Sequence, residues 1–445
     1  MPLSEDDLYR FFHAAMKPRH QWRVGAEAEK FGVYQETGGA VPYEGDRGIV
    51  GVLSALARRF GWTPVSEVEG GPLIALERQH ASVTLEPGGQ LELSGAPLDD
   101  VHAILAETKA HLAELHTVCA PLGIAWLGVG FHPFARQDDL PWVPKLRYSI
   151  MKEYLPKRGE RALDMMRRTA TVQANFDYAS EEDAMRKLRV ALRVSPIVTA
   201  MFANSPFYEG RVTGDRSERA KVWLAVDPDR QGLLPKLWNP DSRLRDYVEW
   251  ALDVPMFLFK RSGKVVVNTG QTFRGFWNNG FQGHHADIHD WELHLNTLFP
   301  EVRLKHTIEV RGGDSLPTRL SPALPALWTG ILYDPTALDE AESFSASFTW
   351  DEMEALRLEL AQRGLSAVLR GKPLADAAQR LIDIARGGLA RRKRLSDDGD
   401  DETVHLAALS KLVQHGSSPA DELAQGLPSE PAAMKSEIIR RAGVS

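Results

Sequence analysis

Glu27 and Glu29 in "VGAEAEKFGV" are two residues apart, so in an extended strand both side chains project from one face. Glu86 and Glu92 flank a Pro87-Gly88-Gly89 turn in "SVTLEPGGQLEL". The arms of that stretch alternate apolar Val83, Leu85, Leu91 and Leu93 with polar neighbours, the pattern of a half-buried hairpin with one carboxylate on the polar face of each strand. In "TVQANFD", Thr171, Gln173, Asn175 and Asp177 share a face opposite Val172, Ala174 and Phe176. In "KHTIEVR", Thr307, Glu309 and Arg311 share a face opposite Ile308 and Val310. If these strands form one sheet with helices on its apolar side, Glu27, Glu29, Glu86, Glu92 and Glu309 all project from the other side. A solvated antiparallel face is the ordinary source of such polarity. Here, however, lysines are scarce beside the carboxylates, and like charges opposed across strands repel. Hard oxygen donors in this number suit Mg²⁺ or Mn²⁺, and they exceed what one ion uses. Two or three ions holding a nucleotide polyphosphate would use them.

The elements that must position these residues follow from pattern. Residues 4–17 read as a helix capped by Ser4, 22–34 as a strand, and 48–62 as an amphipathic helix ended by Gly61. After the hairpin come a helix from about Leu98 to Cys119 and an apolar strand, "IAWLGVGFHP". "SEEDAMRKLRVALRVSPIVTAMF" opens with a capping box at Ser180. "GKVVVNTG" reads as a short strand, "DWELHLNTLFP" as helical and "VRLKHTIEVRGGD" as one strand, with mostly helical pattern from about Pro317 onward. Strands without regular βα alternation indicate an α+β fold built on an antiparallel sheet.

Long ordered stretches then carry a family resemblance, from Arg23 to about Asp334: "ALERQHASVTLEPGGQLELSGAPL", "VPKLRYSIMKEYLPKRG", "LDMMRRTATVQANFDY", "YVEWALDVPMF" and "DWELHLNTLFPEVRLKHTIEVRGGD" among them. The sequence resembles glutamate–cysteine ligase (γ-glutamylcysteine synthetase) of the plant and proteobacterial type. The resemblance implies a glutamine-synthetase-like fold, a bent antiparallel sheet forming a funnel with helices on its outer face. It also implies ATP-dependent ligation of the L-glutamate γ-carboxylate to the L-cysteine amine through γ-glutamyl phosphate, the first step of glutathione synthesis. The family's metal positions fall on Glu27, Glu29, Glu86, Glu92 and Glu309, with Gln173 where a related branch carries a histidine ligand. Arg147 and Arg219 fall where arginines hold the glutamate carboxylate, and Asn175 joins them as a substrate residue. Glu309 and Arg311 are the catalytic pair. The run "SERAKVW" keeps Arg219 and Trp223 while its other residues depart from the family pattern.

Totals bound the partners. The chain has 445 residues, 43% of them hydrophobic, ample for one catalytic domain with residues 335–445 as a helical portion packed on it. A net charge of −7 argues against nucleic acid. No apolar run spans a membrane and no targeting segment is evident, so a cytoplasmic monomer or homodimer working on L-glutamate, L-cysteine and ATP is expected. Cys119 is the sole cysteine, which excludes an intramolecular disulfide and reads as structural. "HHADIHD" imitates a metal site through His285 and His289 but reads better as a loop entering a helix capped by Asp290. Arg167 and Arg168 could reach phosphate or serve in ion pairs. No Walker loop is present. The rival readings are a γ-glutamyl ligase of the same fold with another acceptor amine and, further off, a two-metal hydrolase.

Overall fold

The computed structural model describes residues 3–444. Its spine is the strand Val24–Tyr34 (β1), whose alternation sends Ala26 and Ala28 to one side and Glu27 and Glu29 to the other. The other strands of the main sheet are Thr63–Val65 (β2), Ala75–Arg78 (β3), Ala81–Leu85 (β4), Leu91–Ser94 (β5), Ile124–Leu127 (β6), Thr171–Phe176 (β7), Val302–Leu304 (β8) and Ile308–Asp314 (β9). They run β8-β9-β7-β1-β5-β4-β3-β2, all antiparallel. The first half of β1 lies between β7 and β5, while its last residues, Phe31–Tyr34, leave them and pair with β6. That change of partners bends the sheet. The bent antiparallel sheet with helices on one face meets the α+β expectation.

The apolar face of β7 and β9 (Val172, Ala174, Phe176, Ile308, Val310) packs in one cluster with the helices Glu181–Met201, Ala323–Tyr333 and Leu374–Arg392. The apolar residues of β4 and β5 pack in a second cluster with the helices Ile49–Phe60 and Val101–Cys119. Ser180 accepts the Asp183 N–H at 3.1 Å, but the Asp183 carboxylate turns to the Ala179 N–H at 2.8 Å, so the reciprocal half of the expected capping box is not made.

Three strand expectations change. "VRLKHTIEVRGGD" is a hairpin, not one strand: β8 and β9 pair Val302 with Val310 and Arg303 with Glu309. The tight return is closed by the Lys305 N–H on the Thr307 carbonyl at 2.9 Å. "IAWLGVGFHP" keeps strand structure only to Leu127. Glu86 lies just past β4, in a turn closed by the Gly89 N–H on the Glu86 carbonyl at 2.9 Å. Gly89 adopts φ +84°, which favours glycine, and a Cβ at Gly88 would lie 2.3 Å from the Arg167 carbonyl oxygen.

Candidate active site

The polar face of the sheet is roofed, not solvated. It closes a cavity of about 490 Å³. Glu27, Glu29, Glu86, Glu92, Gln173, Arg303 and Arg311 line the sheet side, and the helices Leu146–Tyr154 and Glu218–Trp223 bring Arg147, Tyr148, Arg219 and Trp223 to the opposite side. Strand register explains the convergence: Glu29 faces Glu92 across β1 and β5, Glu27 faces Gln173 across β1 and β7, and Thr84 faces Glu92.

The carboxylates of β1 and β5 are neighbours in low dielectric with few cations. Glu27 accepts from Asn175 Nδ2 at 2.9 Å and is pushed up to about 7 by burial and then by the charges of Glu92 and Glu309. Glu29 accepts the Thr171 N–H at 2.9 Å, and burial with the Glu86 and Glu92 charges holds its carboxyl well above the usual range. Glu92 is raised by burial and by Glu86, against hydrogen bonds from Ser94 and Thr84.

Glu309 has the opposite environment. It is fully buried beneath the cavity wall, which alone would raise it, but Arg303, Lys305 and Arg311 overcome burial and hold it well below the usual carboxylate range. Arg303 donates to it at 2.7 Å and 3.1 Å, Lys305 Nζ lies 3.0 Å away, and Arg311 bonds both Glu309 and, at 2.6 Å, the Gln173 side-chain oxygen. The expected scarcity of lysines is thereby corrected: Lys305 pairs with Glu309, and Lys145 and Lys260 line the cavity. Lys145, unremarked in the sequence, donates to the Leu85 carbonyl at 2.8 Å, and burial followed by the neighbouring Arg147 lowers it to about 8.

Asn175 does not face the cavity as a free group. Its amide donates to Glu27 and its oxygen accepts from Thr307 at 3.1 Å, so it orients a carboxylate. Arg147 stands exposed at the mouth, its guanidinium 5.0 Å over the Tyr148 ring. Arg219 is buried, lowered by desolvation, and donates to the carbonyls of Arg311 at 2.8 Å and Gly312 at 3.2 Å.

The remaining candidates are structural. Arg168 is buried between the Phe131 and Tyr208 rings and pairs with Asp164 at 3.2 Å; Arg167 packs over Trp142 at 4.5 Å. Asp287, not Asp290, caps the helix Ile288–Leu295; Asp290, the third helical residue, closes the capping box by accepting the Asp287 N–H at 2.9 Å and also pairs with Arg261 at 2.6 Å. The Cys119 thiol is buried under Trp126, whose indole donates to it at 3.2 Å, and burial pushes it up to about 11. Among the described residues, no three carboxylate, imidazole or thiol groups converge tightly enough, as they lie, to hold a metal ion. No described helix is long and apolar enough to cross a membrane.

Carboxylates of β1, β5 and the β4–β5 turn, gathered with arginines of the β8–β9 hairpin and of the roof around one cavity, define an enzyme acting on small anionic substrates. Its affiliation follows from comparison. The profile of glutamate–cysteine ligase family 2 (GCS2) matches residues 23–442. The chain is 42% identical over 425 residues to the chloroplastic glutamate–cysteine ligase of Medicago truncatula, covering 95% of this chain and 82% of that one. It is 41% identical over 425 residues to the chloroplastic enzyme of Arabidopsis thaliana, covering 95% and 79%. A solved structure of glutamate–cysteine ligase from Francisella tularensis in complex with AMP shares the fold at a TM-score of 0.57 and 12% identity, covering 95% of this chain and 87% of that one. The chain belongs to glutamate–cysteine ligase family 2 and is a ligase of that family. The cytoplasmic expectation is overturned: the relatives named here are chloroplastic enzymes.

Proposed function

We propose that this chain phosphorylates the γ-carboxylate of L-glutamate with ATP and joins the resulting acyl phosphate to the amine of L-cysteine, releasing ADP and phosphate. A carboxylate is a poor electrophile, and phosphorylation gives it a leaving group. Membership of the family and the gathering of acidic and basic side chains around one cavity support this reading, and the second is the observation of this molecule that carries it. Arg147 and Arg219 hold the glutamate α-carboxylate, for which a planar guanidinium fork suits. Arg311, with Arg303 beside it, meets the transferring phosphoryl oxygens and stabilises their charge. Asn175 orients Glu27.

The donor set fits hard divalent cations. Glu27, Glu29 and Glu92 are raised by burial and then by neighbouring carboxylates, Glu86 among them, and a cation would relieve that repulsion at this oxygen-rich wall. Mg²⁺, two or three ions, with Mn²⁺ as the substitute, would be held there and by Gln173 and Glu309. Such ions neutralise charge on nucleotide phosphates. Gln173 and Glu309 now share the Arg311 guanidinium as their cation, so their turning to a metal and the freeing of Arg311 for phosphate go together. The chain works as one catalytic unit, since the C-terminal helix Leu374–Arg392 shares the core under the sheet.

Hydroxylamine tests the mechanism. With ATP, Mg²⁺ and glutamate, it should give γ-glutamyl hydroxamate and stoichiometric ADP. Formation of AMP would replace phosphoryl transfer by adenylation, and product without nucleotide would make the protein a hydrolase. ADP formed with another amine but not with cysteine would transfer the reading to a different acceptor.

A further inference from the structure

The register of β9 against β7 shifts between Val310 and Gly313, so Arg311 and Gly312 form a bulge. The bulge interrupts the pairing at the residue that carries the cavity's central guanidinium, and pairing resumes at Gly313. From the cavity side it is held by Arg219, which donates to the carbonyls of Arg311 and Gly312. From behind it is held by Glu301. The Glu301 carbonyl accepts the Arg311 N–H at 3.1 Å, and its own N–H donates to the Gly232 carbonyl at 3.1 Å. The Glu301 carboxylate lies against Gly312: a Cβ there would be 3.0 Å from Glu301 Oε2 and 2.6 Å from Thr199 Oγ1. This carboxylate is fixed by Arg357 at 3.0 Å, on the helix Trp350–Arg363, and Arg357 also bonds Gln231 at 3.2 Å and Glu354 at 2.9 Å. Arg357 is buried, and it lines, with Glu301, Arg219, Trp223, Phe299 and Arg311, a small chamber of about 30 Å³ behind the reaction cavity. Arg219 and Arg311, with Trp223 and Phe299, line both spaces and form the partition between them.

We propose that Glu301 and Arg357 are positioning residues that set Arg311 and Arg219 through the bulge, so that the C-terminal helices act on phosphoryl transfer without touching substrate. The ion pair is intrachain and enclosed, its second partner Gln231 belongs to the segment that also anchors the Glu301 N–H, and both anchors converge on one backbone turn. Loss of either charge frees Glu301 to turn from Gly312 and loosens the Arg311 amide. The inference rests on the ligase reading only for its kinetic arm.

The test uses Arg357→Met, Arg357→Lys and Glu301→Gln in the full chain. Hydrogen exchange of the Arg311–Asp314 amides, which does not depend on the reaction assigned, should quicken about tenfold in Arg357→Met and Glu301→Gln while the strand β1 keeps its protection. In the hydroxamate assay, kcat should fall about tenfold or more at constant KM for ATP, the double variant should be no worse than the worse single one, and Arg357→Lys should recover most of the loss. Unchanged exchange at the bulge overturns the proposal, whatever the activity of the parent enzyme. A loss of thermal stability with kcat per folded molecule intact also overturns it, leaving Arg357 a packing residue. Should Arg357→Met not fold, the near-isosteric Glu301→Gln decides alone by the same two readouts.

Discussion

The wall made by β1 and β5 and the wall made by the β8–β9 hairpin carry the same residue type with opposite electrostatics. Glu27, Glu29 and Glu92 are raised by burial and then by nearby carboxylates, whereas Glu309, more deeply buried than any of them, is held low by Arg303, Lys305 and Arg311. Burial alone does not decide the charge of a carboxylate; the sign of its neighbours does. The first wall is an acidic surface awaiting a cation, and the second presents the cations that Glu309 gathers. Under the proposed function, a nucleotide polyphosphate with its metal ions would lie against both, each offering the charge the other lacks.

The largest expected effect breaks this contrast at Glu309. Glu309→Gln strands buried Arg303 and half-buried Lys305, and removing one partner of a buried pair costs about 3–5 kcal/mol. Glu29→Gln should instead leave metal-free stability unchanged or raise it by about 1 kcal/mol, because it relieves repulsion. Urea unfolding of both variants without metal checks this. Equal destabilisation would mean that the walls do not differ as described. Both variants should be severely impaired as ligases.

Next in size is Arg311→Met. If Arg311 meets the transferring phosphoryl group, kcat for ADP formation should fall about 10²–10³-fold. The KM for cysteine should scarcely move. A fall in cysteine affinity with kcat retained would place Arg311 in the acceptor pocket.

The contrast was half legible in the sequence. β1 and β7 alternate so regularly that the shared face of Glu27, Glu29, Gln173 and Asn175 followed from period alone. The Pro87-Gly88-Gly89 turn likewise announced a hairpin, though Glu86 falls one residue beyond the paired strand. The β8–β9 return was hidden because Lys305, His306 and Thr307 contain neither glycine nor proline, so no turn signal interrupts an apparently continuous strand. With that turn missed, Arg303 and Lys305 could not be seen facing Glu309, and lysines looked scarcer than they are. Lys145 and Tyr148 sit on a roof far from the strands in sequence, and only tertiary packing brings them over the carboxylates.

A smaller effect separates the two roof arginines. Arg147→Lys keeps a charge at the exposed mouth but loses the fork, and should raise the KM for glutamate about tenfold with kcat nearly intact. Arg219→Lys should raise that KM similarly and also lower kcat, because Arg219 holds the carbonyls of the bulge. Initial rates with glutamate varied at saturating ATP and cysteine distinguish them. Identical profiles would remove the distinction between a binding arginine and one that also shapes the site.

The smallest effect is a slope with pH in metal-free protein, and its sign differs between the walls. Glu27 is raised from 4.5 to about 7, so the folded protein binds a proton there that the unfolded chain has released. Its cost is absent below about pH 4.5 and grows as pH rises toward 7, which lowers the unfolding midpoint by about 1–2 °C per pH unit for a chain of this length. Glu309 works in reverse. Its ion pairs contribute fully above the ordinary value of 4.5, and that contribution is lost only as pH falls through its lower folded value. Between pH 5 and 7 the buried histidines His111, His132, His294 and His405, all held below the ordinary 6.5 chiefly by burial, add a slope of opposite sign, so the acidic wall is read as a difference between variants. Differential scanning calorimetry in chelator should show the midpoint of Glu27→Gln rising relative to that of the parent across the interval. Saturating Mg²⁺ should raise the parent in the same sense, since a cation that keeps these carboxylates ionised removes the proton uptake that folding otherwise demands. A slope that survives Glu27→Gln unchanged would assign it to other groups and leave the acidic wall without its distinguishing property.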